Sequence, residues 1–296
     1  MPSDMRIVVA LLIAIALTAT DSAQAQAGLN IALEAPIGAR VRQAGEVFEE
    51  VQSLLTGRGH NVTIVSGTEL DTAAEIGAFD LVVLTGTGWD EVDWETFDPQ
   101  VEPYVSAGGG LVATGFDLHS LKSGHPAAGI EMVLPFAKGT SYIATGGTIT
   151  VLSGHQITDG LGNFANPSYD NFGGGAKGGA TVLTENSAIP GPDSGAWEYG
   201  AGRAVYLGPI YMAEHGTYDN EPLLDGSLPD AQQLFINSVE WAGQAPSAAT
   251  VPGLSLWAAL VLAVTFAVLS RRSVRNAFVG SPDRGAIAIS RQTPSS

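Results

Sequence analysis

Apolar positions in the first half of the chain follow two alternating periods, one typical of strands and one of amphipathic helices. Short runs rich in Val, Leu and Ile predict buried strands, and helical spacing predicts helices between them. The resulting order β-α-β-α-β-α-β predicts an α/β fold, an open and mainly parallel sheet with helices on both faces. The predicted strands are residues 29–33, 61–65, 79–85 and 111–114, and the predicted helices run from Val41 to the stop at Gly57, over 68–76 and over 94–106.

The second half of the chain is less regular. Its Gly- and Asn-rich stretch at residues 163–179 predicts a long surface loop, and helical spacing returns at residues 229–242. These elements complete one predicted domain at residues 28–243, which a linker of small residues follows at 244–250. The predicted strands of this half are residues 148–152, 180–184, 196–199 and 204–207.

The first 25 residues have the pattern of a secretory signal peptide. A short charged start ending at Arg6 precedes an apolar run, and Ala23-Gln24-Ala25 forms a small-x-small cleavage site. Ala25-Gln26-Ala27 offers a second site two residues later, and an uncleaved anchor is the alternative. The pattern therefore predicts export of the following domain.

A second apolar segment, residues 251–270, predicts a transmembrane helix. Its twenty residues carry no charge and would form a helix about 30 Å long, enough to cross a bilayer. Arg271, Arg272 and Arg275 follow it, and basic residues favour the cytoplasmic side. We therefore expect an inner-membrane protein with its domain in the periplasm and a basic cluster and cytoplasmic tail at residues 271–296.

The same segment resembles the C-terminal sorting signals of Gram-negative bacteria, specifically the IPTL-CTERM type. Val251, Pro252, Leu254, Ser255 and Trp257 agree with its opening motif. Gly253 and Leu256 depart from it, and the 21 residues after Arg275 exceed its usual length. The resemblance implies a sorting protease as partner and onward processing to the cell surface, whereas a simple anchor is the alternative.

Composition excludes several classes of function. Residues 28–250 hold 7 basic and 27 acidic residues, a formal charge of −20, which repels nucleic acid. The chain has no cysteine, so thiol nucleophiles and cysteine metal sites are excluded. Its five histidines form no His-x-x-x-His pair. We therefore expect no metal site, no cofactor and no nucleic-acid partner.

Five stretches together resemble the class I glutamine amidotransferase-like superfamily, and within it the ThuA-like (trehalose-utilisation) proteins. They correspond to a central strand, a helix with its glycine turn and next strand, a His-x-Ile-Thr-x-Gly-Leu segment, a Gly-x-Gly-Arg strand and a closing helix. The resemblance implies a flavodoxin-like fold and a carbohydrate as ligand. The stretches are residues 80–84, 104–112, 155–161, 197–206 and 235–241.

The resemblance fails at the nucleophile. In the amidotransferases a cysteine occupies the sharp turn after a central strand. Here the turn reads Thr114-Gly115-Phe116-Asp117, and counting strands places Gly115 at the nucleophile's position. ThuA-like chains commonly have a histidine after the same strand, whereas here His119 comes four residues after Gly115. Cysteine-dependent amidotransferase chemistry is therefore excluded.

Ligands of open parallel sheets bind beyond the carboxyl ends of the strands. A functional interpretation gives Asp117 or Glu34 the role of general base, His119 that of proton transfer or ligand binding, and Trp89 that of a sugar-stacking ring. A structural interpretation, which we favour, makes Asp117 a helix cap, leaves Glu34 solvated and places His119 on the surface. The candidates at this crevice are Glu34, Thr85, Gly86, Trp89, Asp90, Thr114, Asp117 and His119.

The acidic run from Asp90 to Asp98 has two interpretations. It could attract Ca²⁺, but it lacks the Asp-x-Asp-x-Asp-Gly spacing of a calcium loop. A solvated helix N-terminus, where acidic residues are stabilised, fits the run better.

The sequence thus leads to three functional hypotheses. The first is an exported, membrane-anchored ThuA-like domain without catalysis that serves as a binding or scaffold module of the cell envelope. The second is a carbohydrate-active enzyme that uses Asp117, Glu34 and His119. The third is a structural envelope protein whose crevice is filled by its own side chains.

Overall fold

The computed structural model describes residues 28–35, 41–84, 94–115, 117–118, 128–138, 141–143, 146–152, 154–167, 170–172, 174–212 and 223–244. The chain divides into two units, residues 1–247 and 248–296. The predicted signal peptide, transmembrane segment and tail lie outside the described residues. Within the described part, no helix combines the length and apolarity that a membrane span requires.

The described domain contains eleven strands and five helices. The helices are α1 (Val41–Gly57), α2 (Ala73–Ile76), α3 (Trp94–Ser106), α4 (Ala128–Val133) and α5 (Pro229–Gly243). The strands are β1 (Asn30–Glu34), β2 (Asn61–Val65), β3 (Leu81–Val83), β4 (Gly110–Thr114), β5 (Ser141–Ile143), β6 (Thr148–Val151), β7 (Phe164–Ala165), β8 (Asp170–Phe172), β9 (Thr181–Asn186), β10 (Ile189–Tyr199) and β11 (Gly202–Leu207).

Nine of these strands form one sheet in the order β2-β1-β3-β4-β11-β10-β9-β6-β7. The first five are parallel neighbours, and counting β11 as the fifth gives the flavodoxin-like order 2-1-3-4-5. The remaining pairs are antiparallel, and β5 pairs with β8 in a separate ribbon. The sheet is therefore mixed, and the prediction of a mainly parallel sheet holds only for its first half.

Alternating side chains of the parallel strands supply two cores. On β1, Ile31 and Leu33 face one core and Ala32 faces the other, as the two-residue period of a strand requires. The first core contains apolar residues of α1 and α5, and the second contains those of α2, α3 and α4. Helices thus cover both faces of the sheet, as predicted.

The predicted helix at residues 68–76 is instead two short turns. A 3₁₀ turn at Gly67–Glu69 begins after Ser66, and α2 begins after Thr72. Ser66 forms a capping box with Glu69, and Thr72 forms one with Glu75. Two local caps therefore divide a segment that apolar spacing alone predicts as one helix.

The second half departs further from the prediction. The predicted loop at residues 163–179 contains β7 and β8, and α4 and β5 were not predicted. β10 begins seven residues before the predicted strand and pairs with β9 through register shifts around Pro192 and Ser194. Proline and glycine in this stretch hide the strand from a pattern-based prediction.

Arg203, on β11, fixes the end of α5 to the sheet. Its Nη1 donates to the carbonyls of Trp241 and Gln244 at 3.1 and 3.2 Å. The guanidinium lies 4.7 Å from the centre of the Trp241 ring, and Nη2 donates to Glu198 at 3.4 Å. The last carbonyls of a helix lack intrahelical partners and favour a positive charge, so a nearly buried arginine is stabilising here.

Candidate functional site

The carboxyl edge of the parallel strands brings together three of the predicted site residues. Glu34 ends β1, Thr114 ends β4, and Asp117 follows β4 by three residues. All three are buried. The other candidates, namely Thr85, Gly86, Trp89, Asp90 and His119, lie outside the described residues.

The turn after β4 is tight and centres on Gly115. Its φ of 53° lies in the left-handed region that favours glycine. The Gly115 N–H donates to the Leu207 carbonyl at 2.9 Å, and its own carbonyl accepts from the Tyr206 hydroxyl at 2.6 Å. Both partners belong to β11, so the neighbouring strand fixes the turn from two sides.

Ile210 occupies the space where a side chain at residue 115 would project. A Cβ built on Gly115 would lie 2.5 Å from Ile210 Cγ1 and 2.9 Å from Ile210 Cα. Ile210 is itself fully buried, and its backbone is part of that contact. The turn therefore has the sharp geometry suited to presenting a nucleophile, but neither the side chain nor the room for one.

Asp117 is a fully buried carboxyl group. Its Oδ2 accepts from the Thr114 N–H at 2.7 Å, and its Oδ1 makes no hydrogen bond to a described residue. Burial raises the pKa of Asp117 well above its usual value, the Thr114 hydrogen bond opposes the shift, and the charge of Glu34 adds to it. Asp117 thus closes the turn after β4 by bonding back to the N–H of Thr114, three residues earlier.

Glu34 does not match its structural interpretation as a solvated residue, because only 2% of it is exposed. Its charge acts on Asp117, so the two carboxyl groups form an interacting pair across the edge of the sheet. Such a pair could exchange a proton, which is the chemistry expected of a general acid and base. In this structure, Asp117 itself is fully buried.

A second buried polar cluster, formed by Thr184, Asp193 and Ser194, lies beside the turn and is not predicted from the sequence. Thr184 Oγ1 and Ser194 Oγ donate to Asp193 Oδ2 at 2.5 and 2.9 Å, and the Gly208 N–H donates to Ser194 Oγ at 3.2 Å. All three side chains are fully buried. Gly208 comes directly after Leu207, whose carbonyl accepts from the Gly115 N–H. The cluster therefore supports the same corner of the sheet as the turn. Its segment, Gly191-Pro192-Asp193-Ser194-Gly195, has a turn-like composition that conceals the cluster.

His155 lies at the start of a turn. It caps the 3₁₀ turn Gln156–Thr158 through Nδ1, which accepts from the Ile157 N–H at 3.2 Å. Its ring packs against the Trp241 ring in a T-shaped arrangement, with the ring centroids 5.0 Å apart. Burial lowers the pKa of His155, Arg203 lowers it further, and Glu198 opposes both. The motif residues His155 and Arg203 therefore meet at the end of α5, far along the strands from Asp117.

Comparison with solved structures identifies the architecture. A ThuA-like protein from Bacteroides uniformis superposes with a TM-score of 0.55 at 14% identity, over 75% of this chain and 94% of that one. A ThuA-like protein from Parabacteroides merdae gives 0.51 at 16% identity, over 73% and 90%. The domain has the ThuA-like fold. No protein-family profile matches the chain, and no curated protein is significantly similar to it.

A third structure superposes less closely. A glutamine amidotransferase from Thermotoga maritima gives a TM-score of 0.45 at 10% identity, over 73% of this chain and 99% of that one. The assignment of the ThuA-like fold rests on the two preceding structures.

We expect Gly115→Ala to lower the free energy of unfolding by about 3 kcal/mol. The left-handed backbone costs a non-glycine residue about 1–2 kcal/mol, and overpacking against Ile210 adds about 1–3 kcal/mol. Gly160→Ala is the matched control, because Gly160 has φ of 75° and open space around its Cβ position, so only the backbone term applies. Denaturant unfolding of both variants measures the difference, and equal losses would show that Ile210 yields to the added group.

We expect the stability of the wild type relative to Asp117→Asn to fall as pH rises above about 4. The pKa of Asp117 in the folded protein lies above its unfolded value of 3.8. The buried carboxyl group therefore contributes its full share of stability below pH 3.8, and this share is lost as pH rises through the folded-state pKa. Glu34→Gln should move this loss to lower pH, because the Glu34 charge raises the pKa of Asp117 and its removal lowers that pKa.

The measurement is denaturant unfolding of the full-length protein in detergent between pH 4 and pH 8. Asp159→Asn is the control, because it removes a carboxylate at an exposed position. The difference in unfolding free energy between wild type and this control should not change with pH as it does for Asp117→Asn. A pH-independent difference between wild type and Asp117→Asn would contradict the raised pKa.

Proposed function

We propose that the protein is an exported, membrane-anchored ThuA-like domain without catalytic activity, a binding or scaffold module of the cell envelope. The observation that carries this proposal is the turn at Gly115. The position suited to a nucleophile has no side chain, and Ile210 fills the space beside it. The turn keeps its sharp backbone shape but leaves no room for a side chain, which favours a structural role for this part of the fold.

The burial of Asp117 supports the same proposal. Its carboxylate hydrogen bonds to the backbone of its own turn and has no exposed surface. A catalytic base must come within hydrogen-bond reach of the proton that it removes from a substrate. Asp117 is bonded to its own turn and is buried, so a substrate would reach it only if the edge of the sheet opened.

The two terminal segments support the proposed location. A signal-peptide pattern at residues 1–25 and an uncharged segment at 251–270 with arginines behind it together favour export followed by anchoring. A charge of −20 on the intervening region suits a surface that stays soluble and does not bind anionic lipid. The membrane is then the first partner of the protein, through the C-terminal segment, and a sorting protease is the second.

A carbohydrate-active enzyme is the second candidate, and one observation favours it. Glu34 and Asp117 interact, and perturbed carboxyl pairs occur often at active sites. In this alternative, opening of the edge would expose the pair, and His119 would contribute proton transfer. Turnover of a carbohydrate separates the two functions.

We expect the full-length protein to turn over none of a panel of mono- and disaccharides and their oxidised derivatives, followed by NMR. Asp117→Asn and Glu34→Gln should be indistinguishable from wild type, and Asp159→Asn is the control for loss of an exposed carboxylate. Turnover by the wild type that falls about 100-fold or more in Asp117→Asn would establish the enzyme instead, since general acid–base catalysis contributes at least that factor.

We expect the mature protein from membranes of its native host to begin at Gln26 or Gly28, because cleavage follows Ala25 or Ala27. Intact-mass spectrometry measures both ends. A C-terminus at Ser296 would identify a simple anchor, and one near Val251 would identify sorting and processing. A chain that begins at Met1 and is recovered in the cytoplasm would contradict export.

A further inference from the structure

The amino edge of the sheet, opposite the Gly115 turn, contains a cavity of about 410 Å³. It lies between α2, α3 and the end of α5, where β3 and β4 begin. This volume falls within the usual range for a small-molecule site, about 300–1,000 Å³. The described residues around it are Ala73, Ile76, Gly77, Phe79, Asp80, Gln100, Pro103, Tyr104, Ala107, Gly108, Gly109 and Gly243.

The walls of this cavity are mainly apolar and aromatic. Ile76 and Pro103 provide aliphatic surface, and the rings of Phe79 and Tyr104 are both half-buried. Gly109 makes this arrangement possible, because a Cβ at that position would overlap the Tyr104 ring. The Tyr104 hydroxyl donates to the Phe79 carbonyl at 3.2 Å, which fixes the two aromatic residues relative to each other.

Asp80 gives the cavity its charge. Its Oδ2 accepts from the N–H and Nδ2 of Asn30 at 2.8 and 3.3 Å, whereas its Oδ1 makes no hydrogen bond to a described residue. None of the described lining residues is basic. Burial raises the pKa of Tyr104, and the charge of Asp80 raises it further, so this phenol stays neutral.

These features select one class of ligand. An anion would meet Asp80 without a basic residue to bind it, in a region that carries a charge of −20. A polyol would find few polar partners on walls built from Phe79, Tyr104 and Pro103. A cation with an apolar body satisfies both features, because carboxylates pair with ammonium groups and aromatic rings attract cations.

We propose that the cavity binds a small organic cation, an alkyl- or arylalkylammonium compound, with its ammonium group on Asp80 and its apolar body against Phe79 and Tyr104. The site lies at the opposite edge of the sheet from Asp117 and Gly115. Its occupancy is therefore independent of whether the Gly115 turn is catalytic, and it goes beyond the proposed scaffold role.

Calorimetric titration of the full-length protein in detergent at pH 7 tests the proposal with three ligands of matched shape. Phenethylammonium carries the positive charge, 2-phenylethanol is neutral and phenylacetate is negative. We expect phenethylammonium to bind at least tenfold more tightly than either of the others. Equal binding of the ammonium and the alcohol, or no binding of the ammonium, would overturn the proposal.

Two variants locate the site. Asp80→Asn should weaken phenethylammonium binding about tenfold, because it removes the negative charge that pairs with the ammonium group. Asp71→Asn is the matched control, because Asp71 is an exposed carboxylate outside the described lining, and it should bind as wild type. Unchanged binding by Asp80→Asn would overturn the proposal.

Ala107→Leu provides a second test that keeps the Asp80–Asn30 contacts. Ala107 is exposed at the rim of the cavity, so a larger side chain there reduces the space without entering the core. We expect it to weaken binding at least threefold while the melting temperature stays near that of wild type. If Asp80→Asn does not fold, this variant decides, and wild-type affinity in Ala107→Leu would overturn the proposal. Wild-type affinity in Asp117→Asn would show that the site is separate from the Gly115 turn.

Discussion

The contact between β4 and β11 determines the geometry of the carboxyl edge. Leu207 and Tyr206 hold the two polar groups of Gly115, and the chain after β11 brings Ile210 against the same residue. The Thr184–Asp193–Ser194 cluster then joins β10 to the N–H of Gly208. Moving either strand along the other would release the turn, the cluster and the burial of Asp117 together.

The two edges of the sheet consequently differ in what they offer to solvent. At the carboxyl edge, Ile210 and Asp117 fill the described part of the turn with the protein's own side chains. At the amino edge, Gly109 lets Tyr104 lie close to the backbone and leaves a cavity beside it. One fold can therefore close the position typical of catalysis and keep an opening at its other end.

Apolar periodicity was sufficient to predict the parallel half of the sheet and the helices that cover it, because each element there buries one regular face. It was insufficient where local chemistry overrides the period. Capping boxes at Ser66 and Thr72 divide one predicted helix, and the turn-like composition around Pro192 hides the start of β10. Glu34 and Asp117 were found as candidates from strand order, but their burial depends on contacts between strands distant in sequence.

The Arg203 contact with α5 has a mechanical consequence. α5 ends at Gly243, so tension on the chain beyond Gln244 is applied first to the end of this helix. Arg203 holds the carbonyls of Trp241 and Gln244 and lies on β11, in the middle of the sheet. A pull from the C-terminal side therefore acts on β11 as well as on α5.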